Sequence, residues 1–90
     1  MYGLSIGSKA KRDFRALAER APRHDIERLY ITVENLVHEP RPHGVQQVRG
    51  RDRVYRVRVG NYRVIYEVDD KENIVLISRV LRRNEATYRA

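Results

Sequence analysis

The chain has 90 residues and no cysteine, and it carries 19 Lys+Arg against 12 Asp+Glu, a formal net charge of +7. That length accommodates one domain, residues 1–90, with a modest core, and the lack of cysteine excludes disulfides and thiolate metal sites. No apolar run nears the roughly 18 residues of a membrane span, and the first residues lack the basic and apolar regions of a secretion signal, so a cytoplasmic protein without a membrane role is expected.

Residues 2–6, YGLSI, alternate weakly and predict a short first strand. Ser8 is suitably placed as a helix N-cap. Ala10, Phe14, Leu17, Ala18 and Ala21 then fall on one helical face, and Pro22 ends the run. A second helix follows, with Ile26, Leu29, Tyr30, Val33, Leu36 and Val37 as its apolar stripe. The short link at Pro22 predicts two antiparallel helices packed together. The segment EPRPHG, residues 39–44, is a loop because two prolines and a glycine disfavour helix and strand alike.

After Gly44 the apolar period changes from 3.6 to 2. Residues 45–48 read as a short strand, RGRD at 49–52 as a turn, and 53–59 as a second strand of this half. Gly60-Asn61 is a two-residue hairpin loop, and 62–68 is the returning strand. DDKEN at 69–73 is another turn. Residues 74–80 are nearly continuously apolar, as expected of a central strand buried on both faces. The tail RRNEATYRA has helix formers without an apolar stripe and reads as a short helix or an ordered tail. The order predicts an α+β fold: an N-terminal strand and a two-helix hairpin packed on one face of a twisted, mainly antiparallel sheet of four to five strands. The opposite face is expected to be open to solvent or a partner.

The charge is unevenly placed. Residues 1–44 carry +2 and residues 45–90 carry +5, and 16 of the 19 basic residues are arginine, the side chain suited to bidentate phosphate contacts. If Gly60-Asn61 is the turn, Val59 faces Tyr62, Arg58 faces Arg63, Val57 faces Val64, Arg56 faces Ile65 and Tyr55 faces Tyr66. Period-two alternation then puts Tyr55, Val57, Val59, Tyr62, Val64, Tyr66 and Val68 under the helices. Arg56, Arg58, Arg63 and Ile65 share the other face. Between Arg49 and Arg63 there are six arginines and one acid, Asp52, and Glu67 can pair with one arginine at most. A bound polyanion accounts for such a face better than solvation alone; RNA, DNA or an acidic protein segment would qualify.

The runs VRG at 48–50, YRVRVGNYRVIYEVDD at 55–70 and IVLISRVLRR at 74–83, with Tyr88 after them, resemble the RelE/ParE superfamily of bacterial and archaeal toxins. LSIGSKAKRDFRAL at 4–17 resembles the family's opening strand and first helix, so the likeness covers nearly the whole chain, and the Y-R-V-R-V-G-x-Y-R-V-I-Y pattern is characteristic of the RelE branch. The resemblance implies a ribosome-dependent endonuclease that cuts mRNA in the ribosomal A site, without metal or cofactor, by attack of a ribose 2′-hydroxyl on the adjacent phosphate. By motif it implies catalytic roles for Arg56, Arg58, Arg63, Arg83 and Tyr88, with Arg49, Arg51, Arg53 and Arg82 contacting RNA. It further implies a ribosome carrying mRNA and rRNA as one partner. The other would be a cognate antitoxin, RelB-like or another small antitoxin, in a toxin–antitoxin hetero-oligomer.

The sequence departs from the family pattern at two places. Better-known RelE members have lysines at the positions of Arg56 and Arg58, and a guanidinium does not act as a base in proteins. Leu81 and Arg82 stand where many relatives have glycine followed by His or Lys. The three histidines, His24, His38 and His43, lie on the helices and first loop, with His43 nearest the basic face. Two other functions use the same fold: a ParE-like inhibitor of DNA gyrase, and a non-catalytic RNA-binding module.

Overall fold

The computed structural model describes residues 1–83. Tyr88 and the rest of the expected terminal helix or tail beyond Arg83 lie outside the described residues. In chain order the elements are β1 (Gly3–Ile6), α1 (Ser8–Arg20), α2 (Arg23–His38), β2 (Gln46–Gln47), β3 (Val54–Val59), β4 (Tyr62–Asp69) and β5 (Ile74–Arg82). They form the expected α+β architecture, with one five-stranded sheet in the order β1-β5-β4-β3-β2. β1 runs parallel to β5, and the other neighbours are antiparallel.

Gly7, not Ser8, caps α1, and Ser8 is the first helical residue. Gly7 is still extended and its N–H donates to the Ile77 carbonyl at 2.9 Å, so the sheet holds the chain one residue longer than expected. A Cβ there would lie 3.2 Å from that same oxygen, which is why glycine suits the exit from β1. Pro22 sits at the N-cap of α2, where its missing N–H costs no helical bond, and Asp25 in the first turn faces the positive end of the helix dipole.

Phe14 and Leu17 of α1 and Leu29, Val33 and Leu36 of α2 pack on Val59, Tyr62, Val64, Tyr66, Val68, Val75, Ile77 and Val80 of the sheet. Each large apolar side chain buried this way contributes about 1.5–3 kcal/mol. Ala18 is exposed, one residue off the stripe, and Tyr30 lies at its margin, half exposed with its ring stacked on Phe14 at 5.2 Å. Tyr66 is fully buried, and its hydroxyl donates to the Pro40 carbonyl at 2.6 Å, which ties the α2–β2 loop to the sheet. Burial pushes that phenol well above its ordinary pKa. Arg41 secures the same loop from outside through Asp70 (2.7 and 3.3 Å) and the Tyr55 hydroxyl (3.1 Å), and Tyr2 donates to Asp70 at 2.6 Å.

Three strand assignments change. The strand expected at 45–48 shrinks to Gln46–Gln47, because Val45 N–H turns back to the Pro42 carbonyl. β3 begins at Val54, since Arg53 belongs to the preceding turn. β5 runs on to Arg82, and it is not buried on both faces: Val75, Ile77 and Val80 enter the core while Ile74 is exposed. Ile77 and Val80, three apart, share a face because Tyr66 pairs Ile77 while Ile65 pairs Arg79, leaving Ser78 as the extra residue of a bulge. Beyond Ile77 β5 has no β1 neighbour. There the Asp13 carboxylate of α1 accepts the Val80 N–H at 2.9 Å and pairs with Arg79 Nε at 2.9 Å.

The face away from the helices is not fully open either. Val48, Val54, Ile65 and Leu81 form a second small cluster there, with Ile65 only 1% exposed. The 48–53 segment folds back over Ile65, held by Val48 N–H to the Val54 carbonyl at 2.7 Å and by Gln47 Nε2 to the Asp52 carbonyl at 2.7 Å. Among the described residues, no helix is long and apolar enough to cross a membrane.

Candidate nucleic-acid interface

The β3–β4 hairpin closes as its loop dictates. Gly60 takes φ +57 while Asn61 stays at negative φ, the sign pattern of a type II′ turn, and Val59 pairs with Tyr62. The register predicted from that loop holds through Tyr55↔Tyr66. Arg58 is therefore directly opposite Arg63, and Arg56 is opposite Ile65. Arg56, Arg58 and Arg63, with Gly44 and Gln46, line one cavity of about 360 Å³.

The electrostatics of this cavity are one-sided. Among the described residues, no carboxylate lies within 4.0 Å of Arg56, Arg58 or Arg63. Glu67 occupies the same face but pairs across the sheet with Val54, at the far end from Arg63. Arg56 is oriented by Gln46, whose Oε1 accepts from Nε at 3.1 Å and from a terminal guanidinium nitrogen at 2.7 Å. A neutral amide holds that guanidinium in place without cancelling its charge. Three cations around one concavity, one of them held in place by Gln46, suit the oxygens of a phosphate.

The remaining sequence candidates are placed differently. Arg49, Arg51 and Arg53 are exposed on the segment that covers Ile65, and Arg53 leans to 3.8 Å from Asp69. Arg82 pairs across the sheet with Tyr62, a core-facing residue, so the strand turns it toward the helices. It lines a separate cavity of about 660 Å³ with Arg20, Asp25, Tyr62 and Arg83. Arg83 is exposed, and its N–H donates to the Asn61 carbonyl at 2.6 Å, beside the hairpin turn. The structure thus brings Arg56, Arg58 and Arg63 together and sets Arg82 and Arg83 at the end of the neighbouring strand β5, outside that cavity. In the second cavity the Tyr62 hydroxyl donates to Asp25 at 3.0 Å, and burial, followed by Asp25, raises the phenol pKa.

Sequence reasoning missed Gln46 and Gly44. Gly44 reads only as the end of the loop at 39–44 and Gln46 only as part of the strand expected at 45–48, and the role of Gln46 depends on its pairing with Arg56. Of the histidines, His24 lies 3.1 Å from Asp25, far from this site in the fold, whereas His43 lines a cavity of about 420 Å³ that also includes His38 and Arg58.

Residues 4–87 match the family described as the ParE toxin of the type II toxin–antitoxin system parDE. The chain is 28% identical over 88 residues to a Methanocaldococcus jannaschii protein named "Putative toxin RelE1", covering 94% of this chain and 93% of that one. Its fold is similar to that of the archaeal RelE–RelB complex from Pyrococcus horikoshii, with a TM-score of 0.77, 28% identity, and 94% and 98% of the two chains covered. It is also similar to the toxin–antitoxin complex RelBE2 from Mycobacterium tuberculosis, with a TM-score of 0.74, 27% identity, and 91% and 98% covered. Family match, relatives and fold agree with the arginine-bearing hairpin: the chain belongs to the RelE/ParE family and is a toxin of a type II toxin–antitoxin system.

Proposed function

We propose that this toxin, acting as a single domain in the cytoplasm, is a ribosome-dependent endonuclease that cleaves mRNA in the ribosomal A site. The observation that carries this reading is the cluster of Arg56, Arg58 and Arg63 around one cavity, with no carboxylate in reach among the described residues. In the reaction the 2′-oxygen forms a bond to phosphorus and the bond to the 5′-oxygen breaks. The 2′-hydroxyl loses its proton and the departing 5′-oxygen gains one. Negative charge builds on the non-bridging oxygens, where the guanidinium groups stabilise it. Arginine stays protonated in proteins, so these side chains hold the phosphate and do not take the proton. Arg83 adds charge at the strand end, and Tyr88 orients the hydroxyl or relays its proton.

The antitoxin partner in this proposal is an acidic or amphipathic segment that covers or distorts the basic face. Support comes from the two complexes to which the fold is similar, both of a toxin with its antitoxin. A second reading, inhibition of DNA gyrase, draws on the family description, which names the ParE toxin.

Translating ribosomes supplied with this protein should yield mRNA cut within codons, while naked RNA is cut poorly. Arg63→Ala and Arg83→Ala should abolish cutting and leave the circular dichroism spectrum unchanged. Intact mRNA together with trapped gyrase–DNA adducts would replace the nuclease reading with the second one.

A further inference from the structure

The cavity of about 420 Å³ behind Arg58 is not used by the phosphate chemistry. Its walls include Asn35, Leu36 and Glu39 from the end of α2 and the residue after it, His43 from the following loop, and Val57 and Arg58 from β3. Its size falls within the roughly 300–1,000 Å³ of small-ligand sites. β2 pairs only with Tyr55 and Arg56, so the β3 edge from Val57 to Val59 has no strand beside it. Val57 and Arg58 of that bare edge line the cavity. Arg58 belongs to its wall and also to the wall of the phosphate cavity, so the two spaces are neighbours on either side of that side chain.

We propose that this cavity is a nucleobase subsite, which seats the base of a nucleotide flanking the phosphate held by Arg56, Arg58 and Arg63. The inference rests on the RNA reading of that arginine cluster. Val57 and Pro42, both half-buried on the cavity wall, supply apolar surface for the faces of a ring. Asn35 supplies both a donor and an acceptor, and Glu39 supplies acceptors only. Neither the Asn35 carboxamide nor the Glu39 carboxylate has a side-chain hydrogen bond or ion pair among the described residues, so both are available to a ligand. A carboxylate in this wall repels phosphate, which keeps the backbone on the arginine side and leaves the cavity to the neutral base. Glu39 also selects. Adenine, cytosine and guanine carry an exocyclic amino group that donates to a carboxylate, whereas the single N3–H donor of uracil is flanked by two carbonyl oxygens that a carboxylate repels.

The test is a titration of the full chain with the dinucleotides ApA, CpC and UpU and with abasic ribose phosphate, followed by NMR. ApA and CpC should shift the Asn35 side-chain amide and the Val57 methyls. UpU should bind about tenfold more weakly or worse, the worth of one net hydrogen bond to a charged group. Abasic ribose phosphate should shift only the arginine signals. Glu39→Gln should erase the difference between ApA and UpU without lowering the affinity for ribose phosphate. Shifts confined to Arg56, Arg58 and Arg63 for every dinucleotide would overturn the base subsite and leave the phosphate site standing. Equal binding of UpU and ApA would overturn the selection by Glu39. An absence of shifts at both places would overturn the inference and the RNA reading together. Cavity shifts from a protein that leaves ribosomal mRNA intact would retain the base subsite and remove the nuclease reading.

Discussion

Replacing Arg58 by threonine should make the folded chain more stable while weakening its hold on RNA. Arg58 and Arg63 face each other directly across β3 and β4, and among the described residues neither has an acidic partner within 4.0 Å. Opposed like charges on a sheet cost roughly 0.2–1 kcal/mol. Threonine removes that repulsion and keeps a good strand former, and because Arg58 is exposed little packing is lost. For a domain of this size about 1 kcal/mol moves Tm by about 4–8 °C, so the gain should be about 1–8 °C. Salt supplies the control. The screening length falls from about 30 Å at 0.01 M to about 3 Å at 1 M, so the Tm gap between the two proteins should narrow as salt is added. Thermal unfolding followed by circular dichroism at these two salt concentrations measures both effects. A variant less stable than the parent at low salt, or a gap indifferent to salt, would mean that the arginine face is already neutralised within the fold. The premise of the RNA site would then fail.

Three further outcomes follow from the contacts. Tyr66→Phe leaves the Pro40 carbonyl without its buried donor and should cost about 1–3 kcal/mol in urea unfolding. Asp13→Ala removes the acceptor of the Val80 N–H and the partner of Arg79; hydrogen bonds to charged groups put the loss at about 1.5–3 kcal/mol, read from the same curves. Asp70 is held below its ordinary carboxylate pKa by Arg41 first and Tyr2 second. The unfolded chain therefore binds this proton more readily, so the contribution of Asp70 is present above the unfolded pKa and is lost as pH falls through the folded one. Unfolding measured between about pH 2 and pH 5 should show a shallower acid limb for Asp70→Asn than for the parent.

The hairpin was legible because its determinants are local. Gly60-Asn61 sets the turn, alternation sets the faces, and together they set the register that opposes Arg58 to Arg63. The helices were legible for the same reason, since one stripe of apolar residues defines each buried face. What was hidden depends on segments far apart in the chain. The Ser78 bulge comes from fitting two strands to one core, and nothing within residues 74–80 marks it. Ile65 looked solvent-facing until Val48, Val54 and Leu81 closed over it. Gln46 became a partner of Arg56 only once the 48–53 segment fixed the length of the connection. Arg82 was expected to contact RNA, yet pairing with Tyr62 commits it to the helix side.

The parallel pairing of β1 with β5 joins the two ends of the described chain. Gly3 lies opposite Ile74, so the two strands that meet there are separated by nearly the whole described chain. The β3–β4 hairpin needs only a two-residue turn and can form within about 1–10 μs. Docking β1 requires closure of the longest loop in the fold, and such non-local pairings slow folding. Contacts made after the transition state govern the unfolding rate with little effect on the folding rate. If β1 docks late, substitutions in Gly3–Ile6 determine how long a finished toxin survives, while substitutions in the arginine hairpin determine how quickly one is made.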